Sequence, residues 1–461
     1  MKEIILGLLD ERAYDKLKSV QREIAPQDLA ELLQELREDG RKSDVLTLFR
    51  LLPKQAAAEV FVEMDAELQE ALIRDYSDGE LRSILNELYL DDTVDLIEEM
   101  PANVVRRILK VTDAKTRAQI NEILNYADDS AGSIMTVEYV ALNGDMTVSE
   151  AFARIRRTGV DKETIYTCYV IDAGRRLVGT VSARTLLLAD EFETIADLMT
   201  PHPFSVTTDT DREIAVNLFE KYDLLALPVV DREERLVGIV TVDDAMDVLL
   251  EETTEDIQKM AAIIPTEKPY LKIGVLETWR HRIPWLLIMM LSATFTQIII
   301  SGFEAKLQSV VILTAFIPML MGTGGNCGSQ SSVSVIRSLS LDEIRLRDVG
   351  KILWKETRVA IVSGATLAVV SFLKVLLLDR WLLGSAEIDA AVSLTVALSL
   401  AVTVVIAKTV GCILPLLAKR LGLDPAVMAA PFITTIVDGL ALLAYFCMAS
   451  LLLASRFSTA V

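Results

Sequence analysis

Asp438 is the residue whose chemistry is easiest to interpret, because it lies inside the apolar stretch PFITTIVDGLALLAYFCMASLLL. A carboxylate at that depth in a membrane is costly unless it faces water, a partner or an ion. Thr434 precedes it by four residues and shares its helical face. These features predict a cation pathway. Lys408, in the preceding apolar stretch, is the alternative partner, because buried opposite charges can pair.

A second polar interruption is IPMLMGTGGNCGSQSSVSVIRS, which carries one proline, four glycines and a row of serines. Glycines allow close helix approach or unwound backbone, and unwound backbone at this depth must line protein or water. The amides of Asn326 and Gln330 can hydrogen-bond the water shell of an ion. We expect Gly325, Asn326 and Gln330 to line the same pathway as Asp438. Packing of small residues is the alternative interpretation.

Five apolar stretches are long enough to span a membrane. They lie near residues 283–303, 309–336, 359–378, 391–417 and 427–454. The basic residues concentrate in one set of connecting loops, which the positive-inside rule places in the cytoplasm together with the N-terminal half. We therefore expect a multi-pass protein of the cell (inner) membrane with its C-terminus outside. Five helices are few for enclosing a polar path, so a pore between subunits is the simpler arrangement.

The formal net charge of −20 belongs to the soluble half, since residues 271–461 contain more basic than acidic side chains. Such acidity argues against nucleic acid as a partner and suits metal cations or simple solubility. Residues 1–130 show apolar residues at helical spacing in short segments, which predicts an all-α superhelix. Asp91 and Asp95 share a helical face there, and spacing alone favours a solvated acidic surface.

Residues 131–253 contain an internal duplication, in which YVIDAGRRLVGTVSARTLL matches PVVDREERLVGIVTVDDAM. Each copy predicts an α/β unit, and the pair resembles tandem CBS domains. That resemblance implies a possible adenine-nucleotide ligand such as ATP, bound by Gly238, Thr241 and Asp244 of the second copy. The first copy has Thr185 where the aspartate would stand. A structural pair that dimerises and transmits motion is the alternative.

The segment after the repeat, which we assign to a connecting helix over residues 254–280, begins within an acidic run. Asp247, Glu251 and Glu255 are spaced by four, and Glu252 and Asp256 form an adjacent stripe. Like charges at this spacing destabilise an isolated helix, and a cation would relieve their repulsion. A solvated acidic linker is the alternative interpretation.

The order of these parts resembles the MgtE family of magnesium transporters and channels. The motifs that carry the resemblance are GTGGNCGSQS, LPLLAKRLGLDPA and TTIVDG, all in the membrane half. The resemblance implies a multi-domain chain: an all-α N domain at 1–130, the CBS pair at 131–253, the connecting helix and a five-helix transmembrane domain at 281–461.

The resemblance also implies a homodimer in membrane lipid that imports Mg²⁺ through a pore lined by the second and fifth spans. Asp438 then meets a hydrated ion, because Mg²⁺ sheds its waters reluctantly. Cytoplasmic Mg²⁺ bound among the N domain, CBS pair and connecting helix would hold the pore shut. The matching regulatory positions are Asp91, Asp95, Asp247, Glu251, Glu255, Asp256 and, in the gate region, Asp424.

There are three alternatives to this function. Transport of Co²⁺, Ni²⁺ or Mn²⁺ is the alternative within the same class. A membrane metalloprotease needs an HExxH motif, whereas the chain has only His202 and His281, far apart. An anion channel would present positive charge along its pathway, which fits an intramembrane aspartate poorly. We therefore expect a transporter and not an enzyme, with channel or coupled-carrier mechanism left open.

Overall fold

The computed structural model describes residues 2–266, 268–341, 343–382, 384–385, 387–428 and 430–454. The chain divides into two compact units, Met1–Leu249 and Leu250–Val461. The first unit holds the helical domain and the repeat, and the second holds the membrane segments.

The helical domain is a run of short helices whose apolar faces share one core. The helices are α1 Lys2–Asp10, α2 Tyr14–Gln21, α3 Pro26–Glu38, α4 Lys42–Leu51, α5 Lys54–Val62, α6 Ala66–Asp75, α7 Asp78–Leu85, α8 Leu90–Glu99, α9 Ala102–Val111 and α10 Ala114–Ile123. Local sequence sets their starts. Pro26 is the first residue of α3, and Ser77 and Glu80 form a capping box at α7. The predicted all-α domain is confirmed.

The repeat folds as two similar α/β units. The first contains β1 Ala141–Asn143, α11 Val148–Thr158, β2 Thr167–Ile171, β3 Leu177–Ser182, α12 Ala183–Leu188, α13 Ile195–Leu198 and β4 Thr200–Pro201. The second contains β5 Val206–Thr207, α14 Arg212–Tyr222, β6 Ala226–Val230, β7 Leu236–Thr241 and α15 Val242–Met260.

The two sheets have orders β1-β2-β3-β4 and β5-β6-β7. In each, the first strand runs parallel to the second, and the second runs antiparallel to the third. Val170 pairs with Gly179 in one copy and Val229 pairs with Gly238 in the other. The same register at aligned glycines confirms the predicted duplication.

Helix α15 carries the acidic stripe and follows β7 without a break. It ends at Met260, and the described residues between 261 and 274 form turns and irregular backbone before the next helix begins at Val275. Residues 254–280 therefore comprise the last turns of α15, an irregular stretch and the start of the first membrane helix, rather than one continuous helix.

The second unit contains α16 Val275–Gly302, α17 Glu304–Ser309, α18 Ile317–Ser340, α19 Val349–Leu373, α20 Ala390–Arg420 and α21 Ala430–Leu452. Among the described residues, five segments are long and apolar enough to cross a membrane: Val275–Gly302, Val311–Ser340, Leu346–Trp381, Ala390–Arg420 and Pro425–Leu452. This agrees with the five predicted spans.

The fourth span, α20, is the central helix of this unit, with more than half of its apolar window buried, whereas α16 buries none of its own. Glycines permit the closest helix contact. A Cβ placed on Gly411 of α20 would lie only 2.2 Å from the carbonyl oxygen of Gly328 on α18. The backbones of the second and fourth spans therefore touch, and this contact fixes which face of α18 is buried.

Candidate ion pathway and cytoplasmic acidic cluster

The second span presents a polar stripe on its outer face. Gly322, Asn326 and Gln330 are each four residues apart, and all three are exposed in the single chain. A spacing of four places them on one side of a helix. The two amides predicted to line an ion pathway therefore lie together on a face that the described residues leave uncovered.

Gly325 lies on a buried face of the same helix, about 100° around from Asn326. A Cβ at this position would stand 3.0 Å from Thr434 Cγ2 on α21. The absence of a side chain thus lets α18 approach α21, so Gly325 serves helix packing rather than lining the pathway as expected. The Thr434 hydroxyl is also engaged, because it donates a hydrogen bond to the Pro431 carbonyl oxygen at 3.0 Å.

Asp438 is partly exposed on α21, eight residues after Ala430. At 1.5 Å per residue this places it about 12 Å along the helix. Among the described residues, its carboxylate has no ion-pair or hydrogen-bond partner. The alternative prediction, a pair with Lys408, is therefore wrong, because that lysine contacts other groups.

Lys408 belongs to a buried polar triad that joins three spans. Its Nζ donates to Ser331 Oγ of α18 at 3.2 Å and lies 3.9 Å from Glu356 Oε2 of α19. Ser331 Oγ in turn donates to the same glutamate oxygen at 2.9 Å. Glu356 was not among the residues predicted from the sequence to have a role. Its signal was a lone acidic residue in the helical segment that leads into the third apolar stretch.

The cytoplasmic unit contains a cluster of four carboxylates from three segments: Asp91 and Asp92 at the start of α8, Glu163 before β2, and Asp244 on α15. Burial raises the pKa of Asp91 well above its usual value, and the charges of Asp244, Asp92 and Glu163 raise it further. Burial and the charge of Asp244 raise the pKa of Glu163 to about 8 and that of Asp92 to about 6. We call these four residues the acidic cluster.

The predicted regulatory residues lie partly inside and partly beside this cluster. Asp91 is a member. Asp95 is exposed one turn further along α8, and Asp247 is exposed about one turn beyond Asp244. In the described part of the chain, no three His, Cys, Asp or Glu side chains are arranged closely enough to hold a metal ion. Asp92 and Glu163 were missed, because nothing in their local sequence indicates what folds against them.

The residues of the motif predicted to bind a nucleotide contact other protein groups. Thr241 Oγ1 donates to Asp244 Oδ2 at 2.5 Å, and Asp244 stands among the other carboxylates. A Cβ on Gly238 would lie 2.6 Å from Met135 Sδ and 2.8 Å from the Thr136 carbonyl oxygen. The glycine is therefore required for packing. The negative surroundings of Asp244 favour a cation over a phosphate.

The last turn of α15 contains an ammonium group between two of the predicted regulatory acids. Lys259 Nζ lies 2.7 Å from Glu255 Oε1 and 2.7 Å from Asp424 Oδ2. Burial lowers the pKa of Lys259, but the hydrogen bonds with Asp424 and Glu255 outweigh it and raise the value. Burial and the charge of Asp424 raise the pKa of Asp256, whose Oδ2 accepts a hydrogen bond from Ser340 at 3.4 Å.

These contacts place the end of α15 beside the cytoplasmic ends of the two spans that carry the pathway residues. Ser340 is the last residue of α18, and Asp424 lies in the loop that leads to α21. Met260 packs against Ile336 of α18 and Ala426 of the same loop. Glu251 and Glu252, one turn earlier on α15, complete the stripe.

Comparison with known proteins matches most of the chain. Residues 317–448 match the MgtE divalent cation transporter family, residues 24–129 match the MgtE intracellular N domain, and residues 131–191 and 195–251 match CBS domains. The magnesium transporter MgtE of Thermus thermophilus is 41% identical over 443 residues, which cover 95% of each chain. This chain belongs to the MgtE family.

Other MgtE proteins agree with the assignment. The magnesium transporter MgtE of Bacillus subtilis is 33% identical over 448 residues, covering 96% of this chain and 95% of that one. The crystal structure of the cytosolic domain of the Mg²⁺ channel MgtE in complex with ATP is 41% identical, with a TM-score of 0.50, and covers 54% of this chain and all of that one. These matches support the predicted helical domain, CBS pair and multi-pass membrane domain.

Proposed function

We propose that this MgtE-family chain carries Mg²⁺ across the cell (inner) membrane into the cytoplasm, along a pathway between two copies of the chain. The observation that carries this proposal is the Asp438 carboxylate, which lies within the fifth span without a protein partner among the described residues. An intramembrane carboxylate of this kind marks an ion pathway. The magnesium transporters that resemble the chain over 95% of its length supply the ion.

A hydrated ion suits the groups available. Mg²⁺ keeps several of its waters and is often bound by only one or two carboxylates. Two Asp438 side chains facing each other across a dimer axis would match one divalent charge. Asn326 and Gln330 would then hydrogen-bond the retained waters, since an amide both donates and accepts.

The second copy of the chain is proposed because the polar stripe needs a cover. Asn326 and Gln330 are exposed on the second span, and α16 buries no residue within the chain. Uncovered amides facing lipid would lose hydrogen bonds that lipid cannot replace. A homodimer that encloses this stripe turns the exposed face into the wall of a water-filled path.

We further propose that cytoplasmic Mg²⁺ closes the pathway by binding to the acidic cluster and to the acids of α15 through one or two carboxylates and its retained waters, which does not require three acids around the ion. The raised pKa values of Asp91, Asp92 and Glu163 reflect burial together with mutual repulsion, which a divalent cation would relieve. A cation that binds only the closed form stabilises that form by mass action. At low Mg²⁺ the repulsion between carboxylates would favour opening.

The ATP-bound relative makes an adenine nucleotide a second candidate ligand of the CBS pair. The residues to test are Gly238, Thr241 and Asp244. Their mutual contacts and the neighbouring carboxylates support a cation at this position instead. Titration of the wild-type chain and of Asp244→Asn with ATP distinguishes the two ligands. ATP binding to the wild type that is lost in Asp244→Asn would indicate a nucleotide site, and no ATP binding to the wild type would favour a cation site.

The transport proposal is tested by flux into liposomes that contain the purified chain and a Mg²⁺-sensitive dye. Asp438→Asn keeps the side-chain size and removes the charge, so Mg²⁺ flux should fall at least tenfold. Glu304→Gln, which alters an acid of α17 outside the spans, should transport normally. Parallel measurements with Co²⁺, Ni²⁺ and Mn²⁺ rank the ions. Wild-type flux through folded Asp438→Asn protein would refute the pathway.

A further inference from the structure

We infer that Glu356 is a specificity-determining residue for cation transport, because its carboxylate neutralises the buried ammonium of Lys408 next to the ion pathway. This inference rests on the proposed pathway along Asn326, Gln330 and Asp438. It assigns a role to two charged residues that do not touch the ion.

The geometry is that of a compact, buried charge pair. Lys408 is only 6% exposed, and the Glu356 side chain is 16% exposed. Ser331, 2% exposed, bridges them by accepting from the lysine and donating to the glutamate. Removing one member of such a pair leaves the other charge buried without its counter-charge.

The pair lies at a depth similar to that of Asp438. Glu356 is seven residues into α19, and Lys408 is twelve residues before the end of α20. At 1.5 Å per residue these positions are about 10 and 18 Å from the cytoplasmic ends of their helices, against about 12 Å for Asp438. These three distances therefore differ by no more than about 8 Å.

Only the second span separates the pair from the pathway. Ser331, which touches both charges, directly follows Gln330, which belongs to the exposed stripe. The distance from the ammonium to a passing ion is therefore about one helix diameter, roughly 10 Å. At an effective dielectric constant of about 20, an unpaired positive charge at this distance would lower the local population of a divalent cation roughly 300-fold.

The same contacts would be present if the triad only held the three spans together. This structural role and the proposed electrostatic role of Glu356 differ in whether the sign of the removed charge matters. If the triad had only the structural role, loss of Glu356 and loss of Lys408 would reduce transport to the same extent. If Glu356 offsets Lys408, loss of the glutamate should reduce cation flux, whereas loss of the lysine should not.

The experiment compares Glu356→Gln, Lys408→Met and the double variant in liposomes, with flux divided by the amount of folded dimer from size exclusion. Glu356→Gln should lower Mg²⁺ flux at least tenfold. Lys408→Met should transport at or above the wild-type rate, and the double variant should lie within threefold of wild type. Glu356→Asp, which keeps the charge, should recover most of the flux lost in Glu356→Gln.

Equal losses in both single variants, or normal flux in Glu356→Gln, would overturn the inference. If Glu356→Gln does not fold, Lys408→Met carries the test alone, because a tenfold loss of flux in the folded variant contradicts a repulsive lysine. Asp438→Asn separates this inference from the pathway itself. Normal flux through Asp438→Asn would refute the proposed pathway. Loss of flux in Asp438→Asn together with normal flux in Glu356→Gln would refute only the role of Glu356.

Discussion

The acidic cluster should release protons when Mg²⁺ binds to it, and Glu163 should supply a defined share of them. Its pKa is raised to about 8 by burial and by the charges of Asp244 and Asp92. At pH 7 such a group holds a proton in about 90% of molecules, and at pH 9 in about 10%. A metal ion needs the ionised carboxylate, so binding displaces that proton.

The comparison is between the wild-type chain and Glu163→Gln, which resembles the protonated glutamate but has no proton to lose. Isothermal titration of the full chain with Mg²⁺ in two buffers of different ionisation enthalpy measures the protons released. The wild type should release about 0.9 proton more than the variant at pH 7 and about 0.1 more at pH 9. Glu191→Gln, at an exposed position outside the cluster, should match the wild type at both pH values.

Without Mg²⁺, the free energy of unfolding should depend on pH through the same carboxyl groups. The folded-state pKa of Glu163 lies above its ordinary value of 4.5, so folding takes up a proton at pH values between the two. This contribution is fully present below about pH 4 and is lost as the pH rises through 8. Added Mg²⁺ should therefore raise the melting temperature more at pH 8.5 than at pH 6. Equal proton release from wild type and Glu163→Gln at pH 7 would refute this account of the cluster.

Two further predictions concern helix packing and the end of α15. Gly411→Ala should sharply lower the melting temperature of the chain, because the new Cβ would lie 2.2 Å from a backbone oxygen of the second span. Gly350→Ala, near the start of α19 with nothing within 4 Å of its Cβ position, should leave the melting temperature unchanged or slightly higher, and thermal unfolding in detergent measures both variants. Lys259→Met removes the ammonium that competes with Mg²⁺ for Asp424, so half-inhibition of flux should occur at a lower cytoplasmic Mg²⁺ concentration. Lys268→Met, which breaks an exposed ion pair near the start of the first span, should leave the concentration for half-inhibition unchanged. An unchanged inhibition midpoint in Lys259→Met would show that the lysine does not compete with the ion.

Local patterns predicted much of the architecture. The five spans, the short acidic helices and the duplicated α/β units each follow from periodicity, apolar length or internal similarity within a few dozen residues. Asp438 was also accessible from sequence, because a charge inside an apolar stretch is costly wherever that stretch folds. Its distance from Lys408 was not, since both lie in apolar stretches and either could have faced the other.

The roles of individual residues within those elements could not be predicted without the tertiary structure. Gly325 and Asn326 are neighbours in sequence, yet one packs against Thr434 and the other is exposed, because successive residues point about 100° apart around a helix. Both residues were predicted from the sequence to line the pathway. Only the contact of α18 with its neighbouring spans determines which side of the motif remains free.

The amino-acid sequence by itself determined the family, the order of domains, the number of spans and the presence of Asp438 at membrane depth. The tertiary structure decided which charges meet: Glu356 with Lys408, Asp424 with Lys259, and Glu163 with Asp244. The physical reason is range. Helical periodicity acts over a few residues, whereas a charge pair depends on helices and loops that lie far apart in the chain and come together only on folding.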